Sequence, residues 1–241
     1  GTANNTTPYQ VSIDNTVACF SSVNLTLTVT YTGGGGGSPG VFNYTLPVGQ
    51  QGLNYNFTSA TGTIPAGGTL VGGSQADDTA VAIPLPAGWT STLYAAAVTS
   101  LSACTNGTLT ANSGAATAFS NAALPASGLP AAVSLVPYWD DLNSSTTNVQ
   151  NGGIFTNTIG ASPNRQFVIE WRTNPFGSGN ATAPPTVQFA VVLTEGSDAI
   201  RYIYALTGTG ANLNGSSATV GVQATNSGTQ FTQFSLNAPN V

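Results

Sequence analysis

From Val23 to Thr32 apolar and polar side chains alternate without a break, Val23, Leu25, Leu27, Val29 and Tyr31 against Asn24, Thr26, Thr28, Thr30 and Thr32. A period of two puts the first set on one face of a β-strand and the second on the other. Gly33 to Gly37, then Ser38, Pro39 and Gly40, follow directly, and a Gly/Ser run of this kind acts as a flexible connector. The pattern predicts an N-terminal strand arm over 1–32, a tether over 33–40 and a body over 41–241.

The body reads as short apolar segments of strand length separated by turn signals, with no sustained helical period. Strands are expected over 41–46, 54–59, 80–85, 91–101, 108–111, 133–137, 154–158, 166–173, 187–194, 199–205, 218–224 and 231–236. Turn markers such as Gly67-Gly68, Asn106-Gly107, Asn151-Gly152 and Asn214-Gly215 stand between them. The fold class expected is all-β, a β-sandwich of jelly-roll or immunoglobulin-like layers with an N-terminal β-strand arm.

Charge narrows the function classes. The chain of 241 residues has 8 acidic and 3 basic side chains, a net charge of −5 and no His or Met. With Arg165, Arg172 and Arg201 as its only cations, it offers no basic surface for phosphates, so nucleic acid is excluded as a partner. The charge-free stretches 15–76 and 79–139 are broken every few positions by Thr, Ser, Asn, Gly or Pro, so no membrane span is expected. No basic segment precedes an apolar one at the start, and the expectation is that a secretion signal has been removed and Gly1 is the mature terminus.

The two cysteines, Cys19 and Cys104, fit an oxidising compartment and predict a disulfide, within one subunit or between two. Asn-X-Ser/Thr sequons stand at Asn4, Asn5, Asn24, Asn43, Asn56, Asn106, Asn143, Asn180 and Asn214. They make N-linked glycans possible partners, although a chain so rich in Asn, Ser and Thr produces many sequons by composition alone.

Catalysis finds little to work with. Nucleophilic hydrolysis of the Ser/His/Asp or Ser/Lys type needs a base that is absent here. A glycosidase pair drawn from Asp140, Asp141, Glu170 and Glu195 is the remaining option. Alternation puts Glu170 and Arg172 on one face of the same strand, which favours structural ion pairs among Asp140, Asp141, Arg165, Glu170, Arg172 and Arg201. Asp77-Asp78 and Asp140-Asp141 lack the spaced pattern of a calcium loop. Trp89, Trp139, Trp171, Tyr202 and Tyr204 could stack on sugars but suit a sandwich core better. The reading is of a protein with no catalytic residues, metal site or cofactor.

From Asn54 onward the order of motifs resembles a family of secreted bacterial proteins with a nidogen-like β-rich surface domain. The likeness runs through Asp77-Asp78-Thr79-Ala80-Val81-Ala82-Ile83-Pro84, Thr105-Asn106-Gly107-Thr108, Phe119-Ser120-Asn121, Pro137-Tyr138-Trp139-Asp140-Asp141-Leu142, Pro163-Asn164-Arg165-Gln166-Phe167-Val168-Ile169-Glu170-Trp171-Arg172, Leu193-Thr194-Glu195-Gly196, Gly215-Ser216-Ser217-Ala218-Thr219-Val220-Gly221-Val222-Gln223 and Phe231-Thr232-Gln233-Phe234. The resemblance implies a secreted β-sandwich surface module and brings no catalytic residue with it. Relatives often carry Cys where Ala123 and Leu236 stand and Ser where Cys104 stands. The arm lies outside the shared pattern.

Together these features predict a non-catalytic subunit of an extracellular, cell-surface filament, a head-to-tail homopolymer in which Val23, Leu25, Leu27, Val29 and Tyr31 of one copy complete a sheet of the next. The competing expectation is a monomeric secreted adhesin or carbohydrate-binding module whose arm folds back on its own sandwich.

Overall fold

The computed structural model describes residues 22–30, 32, 38–47, 54–206 and 213–239. It separates into two compact units, Gly1–Gly52 and Leu53–Val241. All of its regular structure in the described residues is β.

The first unit holds β1 (Ser22–Val29) and β2 (Gly40–Pro47), antiparallel over eight residue pairs from Ser22↔Pro47 to Val29↔Gly40. The expected strand at 41–46 therefore exists, but it belongs with the arm and not with the body. The Gly-rich segment joins the strands of one hairpin, where the sequence reading made it a tether between arm and body. An antiparallel return needs only a short connection, and β2 repeats the alternation of β1, so the two strands satisfy each other's main-chain groups. Tyr31 and Gly33–Gly37 lie outside the described residues.

The second unit is a sandwich of two antiparallel sheets. It contains β3 (Thr69–Leu70), β4 (Ala80–Ile83), β5 (Thr92–Leu93), β6 (Ala96–Ala97), β7 (Leu101–Cys104), β8 (Thr108–Ala111), β9 (Ser134–Trp139), β10 (Leu142–Asn143), β11 (Gly153–Ile159), β12 (Gln166–Pro175), β13 (Val187–Thr194), β14 (Ile200–Leu206), β15 (Thr219–Gln223) and β16 (Phe231–Leu236). One sheet runs β14-β13-β12-β11-β3, with β10 beside β12; the other runs β16-β15-β9-β8-β7-β4. Residues 54–59 form no strand, and the apolar run 91–101 is broken at Tyr94 and Ala95, whose positive φ values of 48° and 61° turn it back as the short hairpin β5-β6.

The core follows from alternation on β12. Phe167, Ile169 and Trp171 point inward, where they meet Leu109, Leu135 and Tyr138 of the opposite sheet. Trp171 stacks on Phe189 at 5.1 Å between ring centres, and Phe189 on Tyr138 at 5.5 Å. Each polar tip finds an acceptor across the core, as buried donors require. Trp171 Nε1 donates to the Cys104 carbonyl at 2.8 Å, Tyr202 Oη to Gly221 at 2.8 Å and Tyr204 Oη to Pro137 at 2.7 Å.

The outer faces are covered as well. Leu124, Ala126 and Leu129 close over Val136 and Trp139 on one sheet, and Ile64 packs on Val168, Ala190, Val192 and Ile203 of the other. The Trp89, Trp139 and Trp171 indoles are thus core residues, and no sugar platform forms from them.

Candidate functional site

Among the described residues the hairpin carries the largest group of exposed apolar side chains. Its register gathers Val23, Leu25, Leu27, Val29, Phe42 and Tyr44 on one face. Leu27, Val29, Phe42 and Tyr44 remain 42, 40, 61 and 64% exposed. The opposite face is mainly polar, with Val41 its exposed apolar member, and is cross-linked: Thr45 Oγ1 donates to Asn24 Oδ1 and Thr26 Oγ1 to Asn43 Oδ1, both at 2.9 Å. Strands β1 and β2 each have one main-chain edge with no ladder partner among the described residues. Such a ribbon can add to a sheet edge and lay its apolar face on a core.

Three acids of the two pairs read separately in the sequence come together, with Asp140 outside the group. Carboxylate oxygens of Asp77, Asp78 and Asp141 lie within 4.8 Å of one another. The buried Asn106 organises this group. Its Nδ2 donates to Asp78 Oδ1 at 2.7 Å and to the Thr117 carbonyl, and its Oδ1 accepts from Leu142 N at 3.0 Å. Burial raises the Asp141 carboxyl above its ordinary value, and the charges of Asp78, Asp77 and Asp140 push the same way. Asp77 is raised by burial and then by Asp78, and its Oδ1 is buried without a hydrogen bond. Hard cations take donors of this type, but Ca²⁺ requires about six to eight oxygens, of which the cluster supplies a part.

The acids and arginines divide differently from the expectation. Glu170 pairs with Arg172 as expected, through Nε–Oε1 at 2.9 Å and Nη2–Oε2 at 2.8 Å. Arg165 pairs with Glu195, Nε–Oε2 at 2.9 Å, and also donates to the Ala87 carbonyl. The Arg165 hydrogen bonds hold the Glu195 carboxyl down at about 2. Arg201 donates to Gln166 Oε1 at 3.3 Å. Asp140 and Asp141 form no ion pair among the described residues. Asp140 instead accepts from Asp141 N at 2.9 Å and from the Ser217 hydroxyl, because the loop around it brings hydroxyl and amide donors and no guanidinium.

A cleft of about 660 Å³ opens on the outer face of the β11–β14 sheet, floored by Glu170, Arg172 and Gln188 and flanked by Pro65 and Pro185. Glu170 is the only carboxylate in its lining, so the second member of a glycosidase pair is missing there.

Thr105-Asn106-Gly107-Thr108 forms the β7–β8 turn, and Pro137 to Leu142 runs from β9 into β10. The model of the NIDO-related family matches residues 54–241. The chain belongs to the NIDO-related family. No curated protein and no solved structure matches it. The hairpin precedes the matched region, and every residue of the acidic cluster and the cleft lies inside it.

Within this NIDO-related domain the turn at Gly107 is fixed by its backbone. Gly107 has φ +79°, and a Cβ there would collide with the Tyr138 carbonyl oxygen, so the Asn-Gly turn is required by a close backbone approach. The same turn removes Asn106 from the glycan candidates, since its amide nitrogen is buried and engaged by Asp78 and Thr117. Asn24, Asn43, Asn56, Asn180 and Asn214 are exposed, Asn143 is half-buried, and Asn4 and Asn5 lie outside the described residues.

Cys19 also lies outside them. Cys104 is a buried free thiol on β7, pushed up to about 11 chiefly by burial. The role of Asn106 was missed in the sequence; the Asn-Gly pair marked the turn but not the distant partners.

Proposed function

We propose that this chain is a non-catalytic structural subunit of an extracellular filament, in which the β1–β2 hairpin of one copy complements a sheet of the next. The observation that carries the reading is the hairpin's two-faced build. It is charge-free, with one face apolar and exposed and the other tied by reciprocal Asn–Thr hydrogen bonds. An isolated two-stranded ribbon is at best marginally stable in water, and the apolar face of this one calls for a cover. Donation to another copy gives that cover and, being a head-to-tail contact, generates a fibre. The arm is then a ribbon and not the single strand expected from Val23 to Tyr31. Family membership is in keeping with a surface module and leaves the hairpin as an addition of this chain.

Negative-stain microscopy and light scattering of the native material test the reading. Filaments are expected, and Leu27→Asp or Phe42→Asp should leave monomers with an unaltered β circular dichroism spectrum. Monomers in native material, or filaments that persist in both variants, would overturn it.

A further inference from the structure

The outer face of the β11–β14 sheet changes character within one row of residues. Val168, Ala190, Val192 and Ile203 form an apolar patch sealed by Ile64. In the adjoining register row, Arg172 stands opposite Gln188, and Gln188 opposite Ala205. Here the covering segment no longer seals the sheet, and the cleft opens. Its floor contains Glu170, 5% exposed, locked to Arg172. The Arg172 guanidinium carbon lies over the Phe155 ring, 3.9 Å from its centroid.

A partly buried ion pair, here with the Arg172 side chain 26% exposed and Glu170 7%, gives little net stability over apolar side chains of similar size, and one row away the fold uses such side chains. The charged floor therefore calls for a reason other than stability. Arg172 spends Nε and Nη2 on Glu170 and on the Gly67 carbonyl, which leaves Nη1 with no hydrogen bond among the described residues. Among the described residues Gln188 uses its Nε2 alone, donating to the Pro185 carbonyl at 3.4 Å. The amides of Gln150 and Asn151 stand at the rim.

We propose that this cleft is a binding site for a neutral saccharide. The guanidinium charge is cancelled by Glu170, so an anion gains nothing from it, while the spare N–H groups and amide oxygens are the mixed donors and acceptors that hydroxyl groups require. Pro65, Pro184 and Pro185 supply rigid apolar sides for the C–H faces of a sugar ring. The volume of about 660 Å³ lies within the range of roughly 300 to 1,000 Å³ typical of ligand sites. The site binds without cleaving, because Glu170 has no carboxylate partner in the cleft. It is independent of whether copies polymerise.

The test is a glycan array of short neutral hexose and N-acetylhexosamine oligomers beside sialylated and sulfated glycans, followed by titration calorimetry of the best neutral binder with the full chain. Binding confined to neutral glycans is expected. It should weaken at least about tenfold, or roughly 1.4 kcal/mol, in Gln188→Ala and in Asn151→Gly, with thermal melting unchanged. Asn151 already has φ +55°, so glycine suits its backbone. No binding at millimolar neutral saccharide, preference for charged glycans, or affinity untouched by both variants overturns the proposal.

Discussion

Strands β1 and β12 carry the same alternation and meet opposite fates. On β12 the apolar row Phe167, Ile169 and Trp171 is 2, 0 and 0% exposed, because a second sheet lies against it. On the hairpin, the row containing Leu27, Phe42 and Tyr44 is roughly half in water. Periodicity reports that a face needs cover; it does not report where the cover comes from. The body supplies its own from strands far apart in sequence, whereas the hairpin has only two strands and one layer.

The largest expected effect falls on the body. Trp171→Ala removes a ring stacked on Phe189 and a donor to the Cys104 carbonyl, and should cost about 3 to 5 kcal/mol. Chemical denaturation followed by circular dichroism measures it, and a loss below about 1 kcal/mol would mean that the sandwich core is not the source of the contrast. Gly107→Ala comes next. Positive φ and the collision with the Tyr138 carbonyl predict a loss of about 2 to 3 kcal/mol, read in the same way.

Acid titration sharpens the comparison, since the resolved carboxyl shifts all lie in the body. The Glu195 carboxyl is lowered from 4.5 to about 2. Its contribution is present above 4.5 and is lost as pH falls through 2. Asp77, Asp140 and Asp141 are raised above 3.8, mainly by burial. They oppose folding when ionised, and that penalty is relieved as pH falls through their raised values, fully so below 3.8. The melting temperature should therefore rise as pH falls through the raised aspartate values, and Glu195 should oppose that rise once it begins to protonate below 4.5. Asp141→Asn should flatten the rise and, at neutral pH, stabilise by about 0.5 kcal/mol. A neutral-pH loss of stability in that variant would instead indicate a bound cation.

The smallest effect is the most diagnostic. Phe42→Asp places a charge on the hairpin's exposed face and should change the denaturation midpoint of the body by less than about 0.5 kcal/mol. A loss of several kcal/mol would show that the hairpin is part of the body's own core and would remove the contrast.

Much of the fold was legible because β-structure with one buried face writes itself as a period of two. Twelve of the body's strands, from Ala80–Ile83 to Phe231–Leu236, overlap expected segments in the correct order, three of them on the single expected segment 91–101. The two-residue strands Thr69–Leu70 and Leu142–Asn143 were not legible, being too short to show a period. The Glu170–Arg172 pair was readable because its members share a face of one strand. The Arg165–Glu195 pair was not, because it joins residues 30 apart.

By itself the sequence determined the all-β class, the inward row Phe167, Ile169 and Trp171, the Asn106-Gly107 turn and the poverty of catalytic groups, since each is a property of composition or of neighbours along the chain. Only the tertiary structure decided that β2 returns to β1, that Asp77, Asp78 and Asp141 meet, that Asn106 is spent on hydrogen bonds, and that a charged floor lies under an open cleft. Those outcomes depend on which distant strands pair and in what register, and alternation along one strand carries no information about its partner.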